Sequence, residues 1–423
     1  MLDFLNNIIV ASVIKSAIVI FALLTAFAYM TLIERVIVAR IQGRLGPNRA
    51  GPFGVFQPVA DALKMAFKEQ IVPSQAKKLI YLVAPVISVV VALCAFAVVP
   101  IGNNWSGDPS KPSVWDPFIG DINVGLLWIL AISSLAVYGI VLGGWASGNR
   151  YSLLGALRSA AQMVSYETSL GLALSGVLMW AGTLSMVGIV HAQMAGSAQG
   201  PGVWFILAQP LGFFIYIIAG VAEVNRAPFD LPEAEQELTA GYLTEYSGLR
   251  WSLYQMAEYI NMITVSAVAS TLFLGGWSFF GLERIPLLSI LFFLIKVAIF
   301  LFMFIWLRAT LPRIRYDRLM RLGWQVLLPL AVLNVVITAV IVTVMAQFQL
   351  PLWQGVLANG LIGLAVVLLV LFMMRRKSYV EQTRFVENAA QGPVVMPASV
   401  RLAKFERIAP PAETAQEQKA VQA

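Results

Sequence analysis

EVNRAPFDLPEAEQELTAGYLTEYSG, residues Glu223 to Gly248, is the stretch against which the rest of the chain has to be read. It holds six carboxylates (Glu223, Asp230, Glu233, Glu235, Glu237 and Glu245) against one cation, Arg226. On both sides lie apolar runs of about 20 residues, the length that crosses a bilayer as a helix. The segment therefore joins two membrane spans and holds its acids at or just below a membrane surface. A carboxylate there is costly unless it is paired, hydrated or protonated. Asp230 and Glu233 have the D-x-x-E spacing of a capping box with Pro232 in the first turn, which gives those two a structural reason. Glu223, Glu235, Glu237 and Glu245 have no such reason, and the default reading of ionisable groups at membrane depth is functional.

Working outward, the chain has 423 residues, 59% hydrophobic and 12% charged, with a mean hydropathy of +0.78. A soluble core needs far less apolar sequence, so the expected fold is all-α: a polytopic bundle of transmembrane helices. One Cys (Cys94) and one His (His191) exclude a disulfide framework, a thiolate set for an iron–sulfur cluster, an axial pair for haem and a zinc site. No metal site is expected. G-x-G-x-x-G and G-x-x-x-x-G-K-[ST] are both absent, which argues against nucleotide binding. The net charge of +7 falls mainly in loops on one side of the membrane and is no argument for nucleic acid.

Nine stretches are long and apolar enough to span: approximately Ile8–Ile33, Leu79–Pro100, Ile122–Trp145, Ala160–Val190, Val203–Ala222, Ala257–Gly281, Pro286–Leu307, Val326–Phe348 and Gly355–Met374. The N-terminus lacks a basic n-region and an A-x-A site, so a cleavable signal peptide is not expected. Lys and Arg set the orientation. Residues 34–78 carry eight of them, whereas residues 101–121 carry only Lys111. The bias repeats at nearly every turn and places the N-terminus outside, the C-terminus in the cytoplasm, and the acidic segment on the cytoplasmic side.

Within the first cytoplasmic loop the Gly46-Pro47 and Gly51-Pro52 steps force a non-helical course. After Pro58, the pattern Val59, Leu63, Phe67 with Asp61, Lys64 and Lys68 between them predicts an amphipathic helix on the membrane surface. Lys68, Lys77 and Lys78 read as interfacial anchors; for Asp61 and Lys64 an anchor and a functional role both fit. Two charges lie deep. Glu167 is nine residues beyond Arg158, about 13 Å in. Lys296 is twelve residues from both Arg284 and Arg308, about 18 Å each way. Each would cost roughly 2.5–3.5 kcal/mol facing lipid, so both are expected to face the interior with a partner or water. Lys15 can snorkel to the outer surface, and His191 reads as interfacial. Residues 375–423 are polar, with Pro393, Pro397, Pro410 and Pro411, and read as a cytoplasmic tail.

These features describe a buried polar path from an acidic cytoplasmic mouth, through Glu258 at the start of the sixth span, towards Glu167 and Lys296. Two classes of protein fit: a subunit of an electron-transfer complex that binds a lipophilic redox carrier, and an ion-coupled secondary transporter with a midplane site. A transporter should more often show facing, interrupted spans. The large cytoplasmic loop face favours the first.

Four runs carry a resemblance: GRLGPNRAGPFGVFQPVADALK (from Gly43), LRSAAQMVSYE (from Leu157), EVNRAPFDLPEAEQELTAGYLTEYSG (from Glu223) and WLRATLPRIRYDRLMRLGW (from Trp306). Together they resemble the H-type membrane subunit of respiratory complex I, the proton-pumping NADH–quinone oxidoreductase, over roughly Ile8 to Phe348 and in the same order. Related subunits of membrane-bound hydrogenases look similar, which leaves the electron donor open. The resemblance implies an eight-span core in residues 1–348 with functional loops at 34–78 and 223–256; residues 349–374 would then be an extra span and 375–423 the tail. It implies a non-redox subunit of the bacterial cytoplasmic (inner) membrane, inactive alone and binding no cofactor of its own, with a quinone (ubiquinone or menaquinone) as substrate. Its partners would be the peripheral-arm iron–sulfur and quinone-site subunits, small membrane subunits and antiporter-like subunits. Glu34, Arg35, Asp61, Lys64, Arg226, Asp230, Glu233 and Glu235 match positions at the family's quinone chamber. Glu167, Glu223, Glu237, Glu245, Glu258 and Lys296 match its proton path.

Overall fold

The structure, a computed structural model, describes residues 8–104, 115–194, 202–230, 240–279 and 285–390. Glu233, Glu235, Glu237 and the expected Asp230–Glu233 capping box fall wholly or partly outside them. Among the described residues there is helix and turn but no strand. The apolar stretches become α1 (Ile8–Ile41), α3 (Lys78–Phe96), α4 (Gly125–Ala146), α5 and α6 (Arg150–Ala181 and Met186–Gln193), α7 and α8 (Phe205–Ala208 and Pro210–Glu223), α9 (Leu249–Phe273), α10 (Pro286–Thr310), α12 (Leu328–Phe348) and α13 (Leu352–Ala390). Short α2 (Gln57–Phe67) and α11 (Tyr316–Arg321) lie between them. A π-helical turn, Leu322–Leu327, joins α11 to α12.

By length and apolarity seven helices can cross a membrane, or eight if the bent pair α5–α6 is one span. The expected fifth span is shorter: α8 has 14 residues, about 21 Å. So helices occupy all nine predicted stretches, but two of them are broken. The fourth bends by 59° between α5 and α6. Gly182, in the left-handed region at φ 67°, ends α5, and Ser185 caps α6 through Gly188 N–H. The fifth breaks at Gln209, and Pro210, which has no N–H to give, starts α8. Backbone groups freed inside a bilayer must find partners in the protein. Gln193 supplies two here, accepting from Phe205 N–H and donating to the Thr271 carbonyl.

The chain divides into two compact units, Met1–Val367 and Leu368–Ala423, with the division inside α13. In the first unit, α3, α4, α5 and α9 form the centre, α8 and α12 pack on α5, and α1 and α10 pack on α9. The centre is filled by buried residues such as Tyr166, Leu174, Ile215, Ile260 and Phe273. The outward faces keep Phe21, Leu127, Val164, Ile299 and Val336 exposed, as helices surrounded by lipid require.

Two features position the site. The first is the length of α1, which runs eight residues past the predicted end of its span, so Glu34 and Arg35 sit on rigid helix rather than on loop. The Gly-Pro loop then folds back on α1: Gly46 lies so close that a Cβ there would be 3.0 Å from Val36 Cα. The second is α2, which forms as its pattern predicts. Its apolar residues Val59, Leu63 and Phe67 remain exposed, the face an interfacial helix lays on a membrane, while Asp61 turns towards α1.

Candidate functional site

Glu34 is 5% exposed, and three distant elements meet on it. Tyr259 of α9 donates its hydroxyl to Oε2 at 2.7 Å. Arg226, from the segment after α8, reaches Oε1 at 3.5 Å, and Arg308, in the last turn of α10, pairs with the same oxygen. The Arg226 guanidinium also lies over the Tyr259 ring, 4.0 Å from its centroid. Burial works against the Arg226 charge, whereas Tyr259, Glu34 and Glu258 favour it, and the balance raises its pKa. Arg226 nevertheless keeps Nε and Nη2 without an acceptor. The neighbouring Arg35 points elsewhere, to Asp61 Oδ2 at 2.7 Å, and Gln57 holds the other Asp61 oxygen at 3.0 Å.

These residues line one side of a cavity of about 850 Å³. Glu34, Arg35, Arg44, Arg226 and Arg308 supply charge; Val38, Leu45, Pro47 and Trp251 supply apolar wall. Such a cavity, charged on one side with an apolar wall on the other, can take a ligand that has both a polar head and a hydrophobic body. Lys64 is exposed on α2 and does not line the cavity. Asp230 is half-buried; the loop before it is clamped by Gln162, which donates to the carbonyls of Ala222 and Phe229 at 2.7 and 2.9 Å.

A second cluster adjoins the first. Glu223 lies where two small internal cavities meet. One, of about 40 Å³, is also lined by Ser133 and Asn261; the other, of about 20 Å³, by Glu258 and Tyr242. The Tyr242 hydroxyl donates to Glu258 Oε1 at 3.2 Å. Glu167 is close enough to Glu223 for their charges to interact, and Glu258 acts in the same way on Arg226. Along the expected path, Glu258 and Glu223 share one cavity, and Glu167 lies within charge-interaction range of Glu223.

Two expected members of that path lie apart. Glu245 accepts from Asn149 at 2.8 Å and lines a cleft of about 660 Å³ with Gln75, Ser147 and Arg150. Lys296 is buried as expected, yet its ammonium donates to the carbonyls of Leu274, Gly276 and Ser278 at 2.6, 2.8 and 2.6 Å. These carbonyls follow the C-terminal end of α9, whereas Glu258 lies in its N-terminal half. Sequence reasoning did not single out Tyr259, Arg308, Tyr242 or Asn261. Arg308 stood within the run beginning WLRATLP, and Tyr259 beside Glu258 on one helix; those were the available signals.

The family profile described as NADH dehydrogenase matches residues 14–339. The H-type subunit of the NADH-quinone oxidoreductase of Deinococcus radiodurans is 48% identical over 380 residues, covering 88% of this chain and 92% of the relative. The corresponding H-type protein of Thermomicrobium roseum is 51% identical over 336 residues, 79% and 96% of the two chains. The NADH-quinone oxidoreductase subunit 8 of Thermus thermophilus is 51% identical over 331 residues, 78% and 86% of the two chains. The chain belongs to the NADH dehydrogenase family, the H-type membrane subunits of NADH–quinone oxidoreductase.

Proposed function

We propose that this subunit forms the membrane part of the quinone chamber, and that the acids from Glu258 to Glu167 are the first section of the proton route. The observation that carries the reading is the Glu34 cluster: a buried carboxylate held by Arg226, Arg308 and Tyr259 on the wall of a cavity of about 850 Å³. The quinone is the substrate of the assembled enzyme, and partner subunits supply the electrons. Its ring and tail suit the apolar wall, and its carbonyl oxygens suit the guanidinium groups that line the cavity. Reduction draws protons to the ring and changes the charge facing Glu34 and Arg226. Because like charges disfavour ionisation and opposite charges favour it, such a change passes to Glu258 through Arg226, then to Glu223 and Glu167. In this reading Asp230, Glu233 and Glu235 serve the chamber and Glu237 the proton route; Arg35, Asp61 and Lys64 serve the chamber as well. Lys296 braces the far end of α9. The enzyme sits in the bacterial cytoplasmic membrane, with the chamber on the cytoplasmic side.

The breaks in the fourth and fifth spans weaken span continuity as an argument against a transporter; family membership now carries that distinction. Replacing Glu34 by Gln tests the chamber. It leaves Arg226 and Arg308 facing a neutral group, and breaking such a buried pair costs about 3–5 kcal/mol. NADH–quinone reductase activity of the assembled complex should fall at least tenfold, while electron transfer to a soluble acceptor upstream of the quinone persists. Normal quinone reduction in that variant would overturn the reading.

A further inference from the structure

The break in the fifth span leaves a polar notch inside the membrane. Gln209 leaves the helical region before α8 starts at Pro210, so the Ala208 carbonyl, five residues into the stretch that begins at Val203, has no helical partner. On the protein side, Gln209 donates to Thr338 Oγ1 at 2.7 Å. Gln209 Oε1 and Asn334 Nδ2, both on buried residues, make no hydrogen bond. Gly176 makes the room these amides need: a Cβ there would lie 2.8 Å from Asn334 Nδ2 and 2.9 Å from Gln209 Oε1.

The lipid side of the notch is covered by α13. Asn359, 3% exposed, donates to the Ala208 carbonyl at 2.8 Å. Gly360 approaches so closely that a Cβ would sit 2.3 Å from the Leu207 carbonyl oxygen, and a Cβ on Gly363 would be 3.1 Å from Pro210 Cγ. Asn359 is seven residues into α13, and its hydrogen bond to Ala208 sets it level with the break. Leu357, Leu361 and Leu364 on the other faces are exposed. One amide and two glycines of this helix are thus matched to the one place where the fifth span lacks its own hydrogen bonds.

We propose that the ninth span is a seal. It closes the lipid side of the fifth-span break, so that water does not enter the Gln209–Asn334 notch and protons do not leak through the outer half of the bundle. The consequence for coupling rests on the proton route proposed above; the leak itself does not. The test uses the whole complex in liposomes. Asn359→Leu should retain NADH–quinone reductase activity, several-fold faster decay of an imposed pH gradient should appear without turnover, and protons moved per electron should fall. Hydrogen exchange at residues 205–212 should rise in the same variant. If Asn359→Leu fails to assemble, Asn359→Ser is read by the same measurements. An unchanged leak overturns the seal, even where exchange rises and shows a structural role. A raised leak, with normal pumping in Glu223→Gln, leaves the seal standing and removes the proton route instead.

Discussion

Glu34 carries one negative charge against two guanidinium groups, so the chamber wall depends on how the carboxylate divides its oxygens. Oε1 takes Arg226 and Arg308, and Oε2 takes the neutral Tyr259 hydroxyl. Tyr259 does two separable things: its hydroxyl fixes Oε2, and its ring lies under Arg226. Phe keeps the ring and with it the cation–π contact, at about 0.5–2 kcal/mol; the hydrogen bond to a charged group is worth about 1.5–3 kcal/mol. In a quinone titration of the assembled complex, Tyr259→Phe should therefore lower kcat/KM several-fold, less than Glu34→Gln, and Tyr259→Leu should approach the Glu34 variant. Equal, near-normal values for the two Tyr259 variants would remove this residue from the chamber. None of the geometry around Glu34 is local in sequence. Its partners lie 192, 225 and 274 residues away. In the sequence Glu34 stood out only through the family resemblance and Arg226 as the one cation of the acidic segment, and nothing in their spacing showed that they meet.

At the scale of elements, what periodicity and apolar length specify was legible, and what depends on where a helix stops was not. The α2 pattern Val59, Leu63, Phe67 predicted an interfacial helix, and the same residues form its exposed apolar face. The nine apolar stretches were read correctly as helical, but Gly182 and the Gln209–Pro210 step lay inside stretches whose hydropathy masked them. Lys296 shows the same limit. Its depth gave its burial, while its carbonyl partners exist only because the chain turns at Gly275 and Gly276, both at positive φ, just past α9. An ammonium held by carbonyls beyond a helix C-terminus is favoured by the dipole there as well as by its hydrogen bonds. Lys296→Met would leave those carbonyls short of a donor in a buried site, at about 1–3 kcal/mol for each group left unsatisfied. The expected outcome is a complex of lower thermal stability that moves the normal number of protons per electron in the fraction that assembles. A loss of pumping with unchanged stability would return Lys296 to the proton route.

Over the whole molecule, the one-sided distribution of Lys and Arg and the location of the chamber have to agree. The chamber is lined by Arg44 of the Gly-Pro loop, Arg226 of the acidic segment and Arg308 at the end of α10, three places assigned to the same side by the charge count. The opposite ends of the spans meet different groups: the carbonyls beyond α9 that hold Lys296, and the turn at Gln349 between α12 and α13. If basic loops stay in the cytoplasm, a quinone entering from the membrane meets its polar groups at the cytoplasmic surface. In the proposed reading, that is where a soluble electron-donating arm docks. Substituted cysteines in a Cys94→Ala background decide this directly, because Gln349 and Asp317 are both exposed and fall on opposite predicted sides. A membrane-impermeant thiol reagent added to intact spheroplasts should label Gln349→Cys and spare Asp317→Cys, and inverted vesicles should give the reverse. The opposite pattern would put the chamber outside, out of reach of an NADH-oxidising arm in the cytoplasm, and the proposed division of labour would fail with it.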